Sequence, residues 1–381
     1  QVSAIRGLQV TRDVPRRLLT TAQLTETVTT DFFKDYTPED AARDSADLSL
    51  LGLLPADFDL LSFYQELYSE QIAGYYDDQT KEMFVISDAG FTGMEKSTYA
   101  HEFTHALQDQ HFDFEGKLNY NEDSCNADSE RCAAIQSLIE GDATLVETAW
   151  LQNYATQQDI QDIQAYYQSY QSPVFDAAPA FMQVDFLFAY QQGYNFVQAL
   201  YNQGGFDAID TAFTTQVPLS TEQILHPDHY PTDTPIPVNL PDLAAALGDA
   251  WKSVESDVVG EWYTYLILAK GENPAWRLQD TIAQDAAAGW GGDAYTILQN
   301  PAGGESALAV RYTWDNKADA LAALDAFRNY SALRFGIPDS NGLAGSGNRF
   351  SQLITEGDLG FTWLVAETPQ TLSSMAAQFG R

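Results

Sequence analysis

The run His101-Glu102-Phe103-Thr104-His105 brings together the side chains best suited to do chemistry in this chain. Histidines four positions apart on a helix lie one turn apart on the same face. Both imidazoles then reach a single tetrahedral Zn²⁺ at ~2.0–2.1 Å. Glu102 follows the first histidine and projects beside the ion, where it takes a proton from water. The chemistry expected is metal-assisted hydrolysis. A catalytic zinc also needs a third protein ligand and one open position.

Two residues compete for the third place. His111 completes His101-Glu-x-x-His105-x-x-Gln-x-x-His111, which is the metzincin spacing with Gln108 in the glycine position. Without that glycine the helix has no easy way to break, and a continuing helix turns His111 away. A metzincin also needs a methionine turn, and Met182, the downstream candidate, lies in a helical context. The second candidate is Glu140, on a later helix reached by a loop long enough to bring the two helices together. Glu147 shares the face of Glu140 two turns on, and Asp142 points sideways as a cap or supporting partner. Glu140 is preferred, with His111 as the alternative.

The elements that must position these groups follow from local patterns. Residues 4–19 alternate as an opening strand, and 21–71 read as helical with interruptions near Pro38 and Pro55. Two β-prone runs flank Asp77-Asp78-Gln79-Thr80, a hairpin over 74–87. Its second arm, 82–87, is expected as a sheet edge that pairs with an extended substrate. Helices are expected over 94–110, 128–155 and 178–202, the last ending at Gly204-Gly205. The aromatic stretch 181–201 reads as core rather than as a cofactor site. Segment 218–237 is loop with a short helix at 220–225, and 254–270 reads as helix. Beyond Trp290 the order is ββα-ββα, with 341–348 as a flexible connector, a small α+β unit. Glu261 reads as a buried structural acid.

The segments Tyr99-Ala-His-Glu-Phe-Thr-His-Ala-Leu-Gln-Asp-Gln-His111 and Ile139-Glu-Gly-Asp-Ala-Thr144 resemble the gluzincin superfamily of zinc peptidases. The chain is similar in particular to a poorly characterised group of secreted bacterial and archaeal metallopeptidases. Ala73-Gly-Tyr-Tyr-Asp77, Ser220-Thr-Glu-Gln-Ile-Leu-His-Pro227 and Trp290-Gly-Gly-Asp293 share in the likeness. The resemblance implies a thermolysin-like catalytic fold. With the local patterns, the chain reads as an α+β protein with a zincin region over 1–253, largely helical with a small mixed sheet, and a C-terminal α+β unit over 254–381. The resemblance also implies Zn²⁺ on His101, His105 and Glu140, with Glu102 as base and an extended polypeptide as substrate. Thermolysin-like enzymes add a His or Tyr donor for the oxyanion. His226 is the first choice here, followed by His229 and Tyr230. Asp109 and Thr144 are candidates to support the ligands. The chain lacks the Gly-x-Met-Glu-Asn strand of the aminopeptidase branch, which argues for an endopeptidase. A catalytically silent zincin that binds protein or cell wall is the other class of reading, and the intact Glu102 argues against it.

Composition bounds the rest. With 54 acidic and 19 basic residues, the formal charge of −35 repels phosphate backbones and excludes nucleic acid as a partner. No apolar run is long enough to span a bilayer. Cys125 and Cys132 sit in a polar segment and read as a disulfide, hence a secreted or envelope-attached protein. The start at Gln1 reads as a processed or trimmed form.

Overall fold

The computed structural model describes residues 1–88 and 90–379. It is an α+β protein with two separate sheets. In the smaller sheet β1 (Arg16–Leu19), β2 (Gly74–Asp77) and β3 (Glu82–Ile86) run in the order β1-β3-β2. β2 and β3 form the expected hairpin, its turn held by Asp77 Oδ1, which accepts from the amides of Gln79 and Thr80. β3 is not the edge, however, because β1 pairs with it in parallel on its other side. The free edge beside the hairpin is therefore β2. The opening residues also differ from a single strand: Val2–Arg6 is helical and only Arg16–Leu19 is extended.

The motif helix, Gly93–Phe112, packs against this sheet. Glu95 opens it by accepting from the backbone N–H of Thr92 at 2.8 Å. Alternation on β3 buries Met83 and Val85 against Ala106 on the helix, together with Val14. The glutamate helix, Ser129–Asn153, starts on its N-cap Asp128 and crosses the long helix Phe188–Thr214. The crossing is close because both helices carry glycine there. A Cβ on Gly141 would meet the carbonyl oxygen of Gly193 at 2.2 Å, and one on Gly193 would meet that of Ser137 at 2.1 Å. The span expected as one helix over 178–202 breaks after Asp185 and resumes at Phe188. It kinks at Gly204-Gly205 rather than ending, since Ile209, Ala212 and Phe213 still have apolar surface to bury.

The larger sheet is antiparallel throughout. β4 (Lys252–Asp257), β5 (Trp290–Asn300), β6 (Glu305–Trp314), β7 (Leu343–Ser346), β8 (Arg349–Glu356) and β9 (Gly360–Ala366) lie in the order β4-β5-β6-β9-β8-β7. Two segments depart from local expectation. Residues 252–257 are an edge strand, and helix begins only at Gly260. Ser253 and Ser256 bond to Thr296 on β5, a tertiary pairing that polar residues of low strand propensity do not advertise. Likewise 341–348 holds β7, recruited by its hairpin with β8.

Helix Lys317–Phe335 covers one face, where Phe327 and Tyr330 pack on Phe361 and Trp363. It also reaches the N-terminal half: Tyr330 and Arg334 donate to the carbonyls of Leu51 and Ser49. One apolar core runs from Val2 to Val365 across residue 253. Cys125 and Cys132 form a disulfide that ties Glu122–Ala127 to the first turn of the glutamate helix. No helix among the described residues is long and apolar enough to cross a membrane.

Candidate metal centre

His101 and His105 project from one face of the motif helix with ring centroids 4.7 Å apart. Glu140 meets them from the glutamate helix, its Oε2 lying 3.0 Å from Nε2 of His101 and 3.5 Å from Nε2 of His105. Two ligands at ~2.0–2.1 Å from a tetrahedral zinc stand roughly 3.3 Å apart, so both separations suit a shared ion. The three residues named as ligands from sequence thus come together.

Hydrogen bonds behind the rings fix which nitrogens face inward. Gln108 Oε1 lies 2.9 Å from His105 Nδ1, while its Nε2 donates to the carbonyl of Ile139 and to Asp142 Oδ2. Those two partners only accept, so the amide nitrogen must face them and the amide oxygen must face the ring. His105 Nδ1 then carries the proton, and Nε2 turns its lone pair toward Glu140. The chain continues from Asp142 to Arg6, 1% exposed, and on to Asp210. His101 is held in the same sense. Its Nδ1 is 3.3 Å from Glu147 Oε2, and the other oxygen of Glu147 accepts from Ser97 Oγ at 2.6 Å.

Two imidazole lone pairs and a carboxylate oxygen therefore point at one another, an arrangement satisfied by a shared cation or by added protons. Nitrogen, nitrogen and oxygen donors of this kind fit zinc. Charges respond accordingly. Burial disfavours a charged imidazole, yet Glu140 and Glu147 raise the His101 pKa well above its usual value. Burial likewise opposes ionisation of Glu140, and the two histidines nonetheless hold its carboxyl far below the usual range. Glu102, 6% exposed, is pushed up by burial and by the nearby Glu140 and Glu147, against the pull of the histidines.

The cluster opens into a cleft of about 1050 Å³ that Gly74, Glu102, Tyr120, Tyr190 and Trp262 help to line. β2 passes close over Glu102: a Cβ on Gly74 would lie 3.0 Å from Glu102 Cγ and 2.6 Å from Thr98 Cγ2. Tyr190 was not singled out by the sequence. Its ring centroid is 6.2 Å from that of His101, 40% of the residue stays exposed, and the charge of Glu140 raises its pKa most. Only the Gly141–Gly193 crossing brings this tyrosine near Glu140, so no local spacing reveals it.

Other candidates lie elsewhere. His226 and Tyr230 do not line the cleft. His226 Nε2 is bound to Glu261 at 2.9 Å, and the Tyr230 hydroxyl donates to the carbonyl of Gln216. His229 stands 3.6 Å from Asp233. His111 stays in an unbroken helix with Nε2 2.7 Å from the carbonyl of Gln9, so the metzincin arrangement does not form. Asp109 does not support His105; it accepts from Tyr76 and pairs with Arg12 and Lys81, tying β2 to the motif helix. Thr144 lines the cleft, and among the described residues no hydrogen bond joins it to a ligand. The stretch 181–201 is only partly core, since Phe186 and Tyr190 face the cleft.

Residues 249–349 match the model of a family described as a domain of unknown function, DUF8575. That segment covers β4 through β7 and contains none of the cluster. No curated protein and no solved structure matches the chain.

Proposed function

We propose that this chain is a zinc peptidase of the gluzincin type, with a zincin-like catalytic region over 1–253, that cleaves extended polypeptides outside the cytoplasm. One observation carries the reading: Nε2 of His101 and of His105 both meet Oε2 of Glu140, with each Nδ1 tied to an acceptor behind it. These three residues would hold the ion. When bound, zinc supplies a Lewis acid that polarises a carbonyl and lowers the pKa of water.

The remaining work falls to the protein's own groups. Glu102, buried beside both histidines, takes the proton from the attacking water and passes it to the leaving amine. The Tyr190 hydroxyl, kept neutral by the charge of Glu140, donates to the oxygen on which charge develops. The open edge of β2 offers backbone groups to an extended chain directly above Glu102, which favours internal cleavage of a strand-like substrate. The Cys125–Cys132 disulfide supports an oxidising compartment.

The test is metal content together with cleavage of casein and quenched peptides by wild type, Glu102→Ala and Glu140→Ala. Glu102→Ala should keep zinc and lose activity by about 10²-fold or more. Glu140→Ala should lose zinc. A zinc-loaded wild type that cleaves none of these substrates would sink the peptidase reading in favour of a binding module.

A further inference from the structure

A second group of acidic side chains lies away from the cleft, where the segment 220–233 meets the end of β6. Glu222, Asp233 and Asp315 each bring a carboxylate oxygen within 4.8 Å of the other two. They arrive from three places: the short helix Thr221–Leu225, the loop after it, and the residue following β6. Glu222 is 2% exposed, and none of the hydrogen bonds among the described residues ends on its carboxylate. Beside it stands Glu261, 4% exposed, the neighbouring charge that acts on it most strongly. Glu261 gives Oε1 to His226 and leaves Oε2 buried without a partner.

Carboxylates taken out of water next to one another are costly unless a positive charge joins them. The basic groups facing this set are imidazoles at its margin, His226 on Glu261 and His229 at 3.6 Å from Asp233. Neither stands between Glu222 and the two aspartates in any ion pair among the described residues.

The geometry points to a calcium site formed by Glu222, Asp233 and Asp315, with Glu261 as the adjoining carboxylate. An all-oxygen set selects a hard cation. Ligands at ~2.4 Å from calcium span at most about 4.8 Å across the ion, which accommodates this group. Asp315 is exposed, so water completes the shell from that side. The ion fastens the loop 226–233 to the end of β6. Through Thr221, which donates to Glu130 and accepts from the Trp262 amide, it steadies one wall of the cleft.

The experiment uses the full chain stripped of divalent ions and reloaded with stoichiometric zinc. Calcium is then titrated by calorimetry and by thermal melting, with zinc content as a control. Wild type should bind calcium and gain about 5 °C at a hundred times the dissociation constant. Asp315→Asn, at an exposed position, should weaken calcium binding at least ~10-fold while keeping its fold and zinc. Glu222→Gln should melt above wild type without calcium and no longer respond to it. Three outcomes overturn the site: no calcium binding by wild type at millimolar concentration, an equal melting shift in both variants, or wild-type affinity in Asp315→Asn. If the carboxylates share protons instead, the first of these is seen.

Discussion

Gln108 accepts from Nδ1 of His105 at 2.9 Å and hands its own amide N–H groups to Ile139 and Asp142. The residue that stands where a metzincin has glycine thus sets the tautomer of His105, one of the three proposed zinc ligands. Gln108→Leu keeps size and removes the acceptor. It should weaken zinc binding about 10–100-fold, measured by competition with a chromophoric chelator. Unchanged affinity would mean that His105 needs no such support.

Glu140 and Glu147 both touch His101, one at Nε2 and the other at Nδ1. Their replacements should therefore differ in kind. Glu140→Ala removes a proposed ligand and should abolish stoichiometric zinc, whereas Glu147→Ala should retain zinc with affinity reduced about 10-fold or more. Reversal of that order in a metal titration would exchange their roles.

Tyr190→Phe deletes the hydroxyl and leaves the ring that faces His101. With zinc content intact, kcat should fall about 10²–10³-fold while KM stays within a few-fold, as expected of a donor used mainly in the transition state. A loss confined to KM would make Tyr190 a substrate-binding residue.

Gly193→Ala should destabilise the fold by roughly 1–3 kcal/mol, because its Cβ meets the Ser137 carbonyl at 2.1 Å and the helices must separate. The separation also moves Tyr190 away from Glu140, so activity should drop further than the melting temperature alone accounts for. A variant with wild-type melting and activity would contradict the close crossing.

Asp47 is buried, leaves Oδ1 without a partner, and has its pKa raised to about 7 by burial and by the nearby Asp44 and Glu255. A raised carboxyl contributes fully below its unfolded pKa of ~3.9 and loses that contribution as pH rises through the folded value. Asp47→Asn should match wild type near pH 4 and exceed it by roughly 1–3 kcal/mol at pH 8, read from urea midpoints. The comparison between variants cancels the self-repulsion of the −35 chain. Equal midpoints at both pH values would show that Asp47 is already paired.

The sequence alone determined the features that depend on local geometry. Four-residue spacing on a helix places His101 and His105 on one face, and the apolar face around Ile135, Leu138 and Ile139 delivers Glu140 from the next long helix. Turn residues wrote the hairpin, and two polar-segment cysteines wrote the disulfide. Tertiary structure decided what depends on partners far along the chain. Parallel pairing with β1 makes β3 central and leaves β2 as the edge over Glu102. A glycine crossing swings Tyr190 into the cleft, while His226, attractive by type, is drawn to Glu261. Gln108 reaches His105 within its own helix, but the acceptors that orient its amide, and both partners of Glu147, come from another helix. Periodicity reports the neighbours of a residue within a turn or a strand; strand order, helix crossings and side-chain networks are set by packing between segments whose contacts no local pattern encodes.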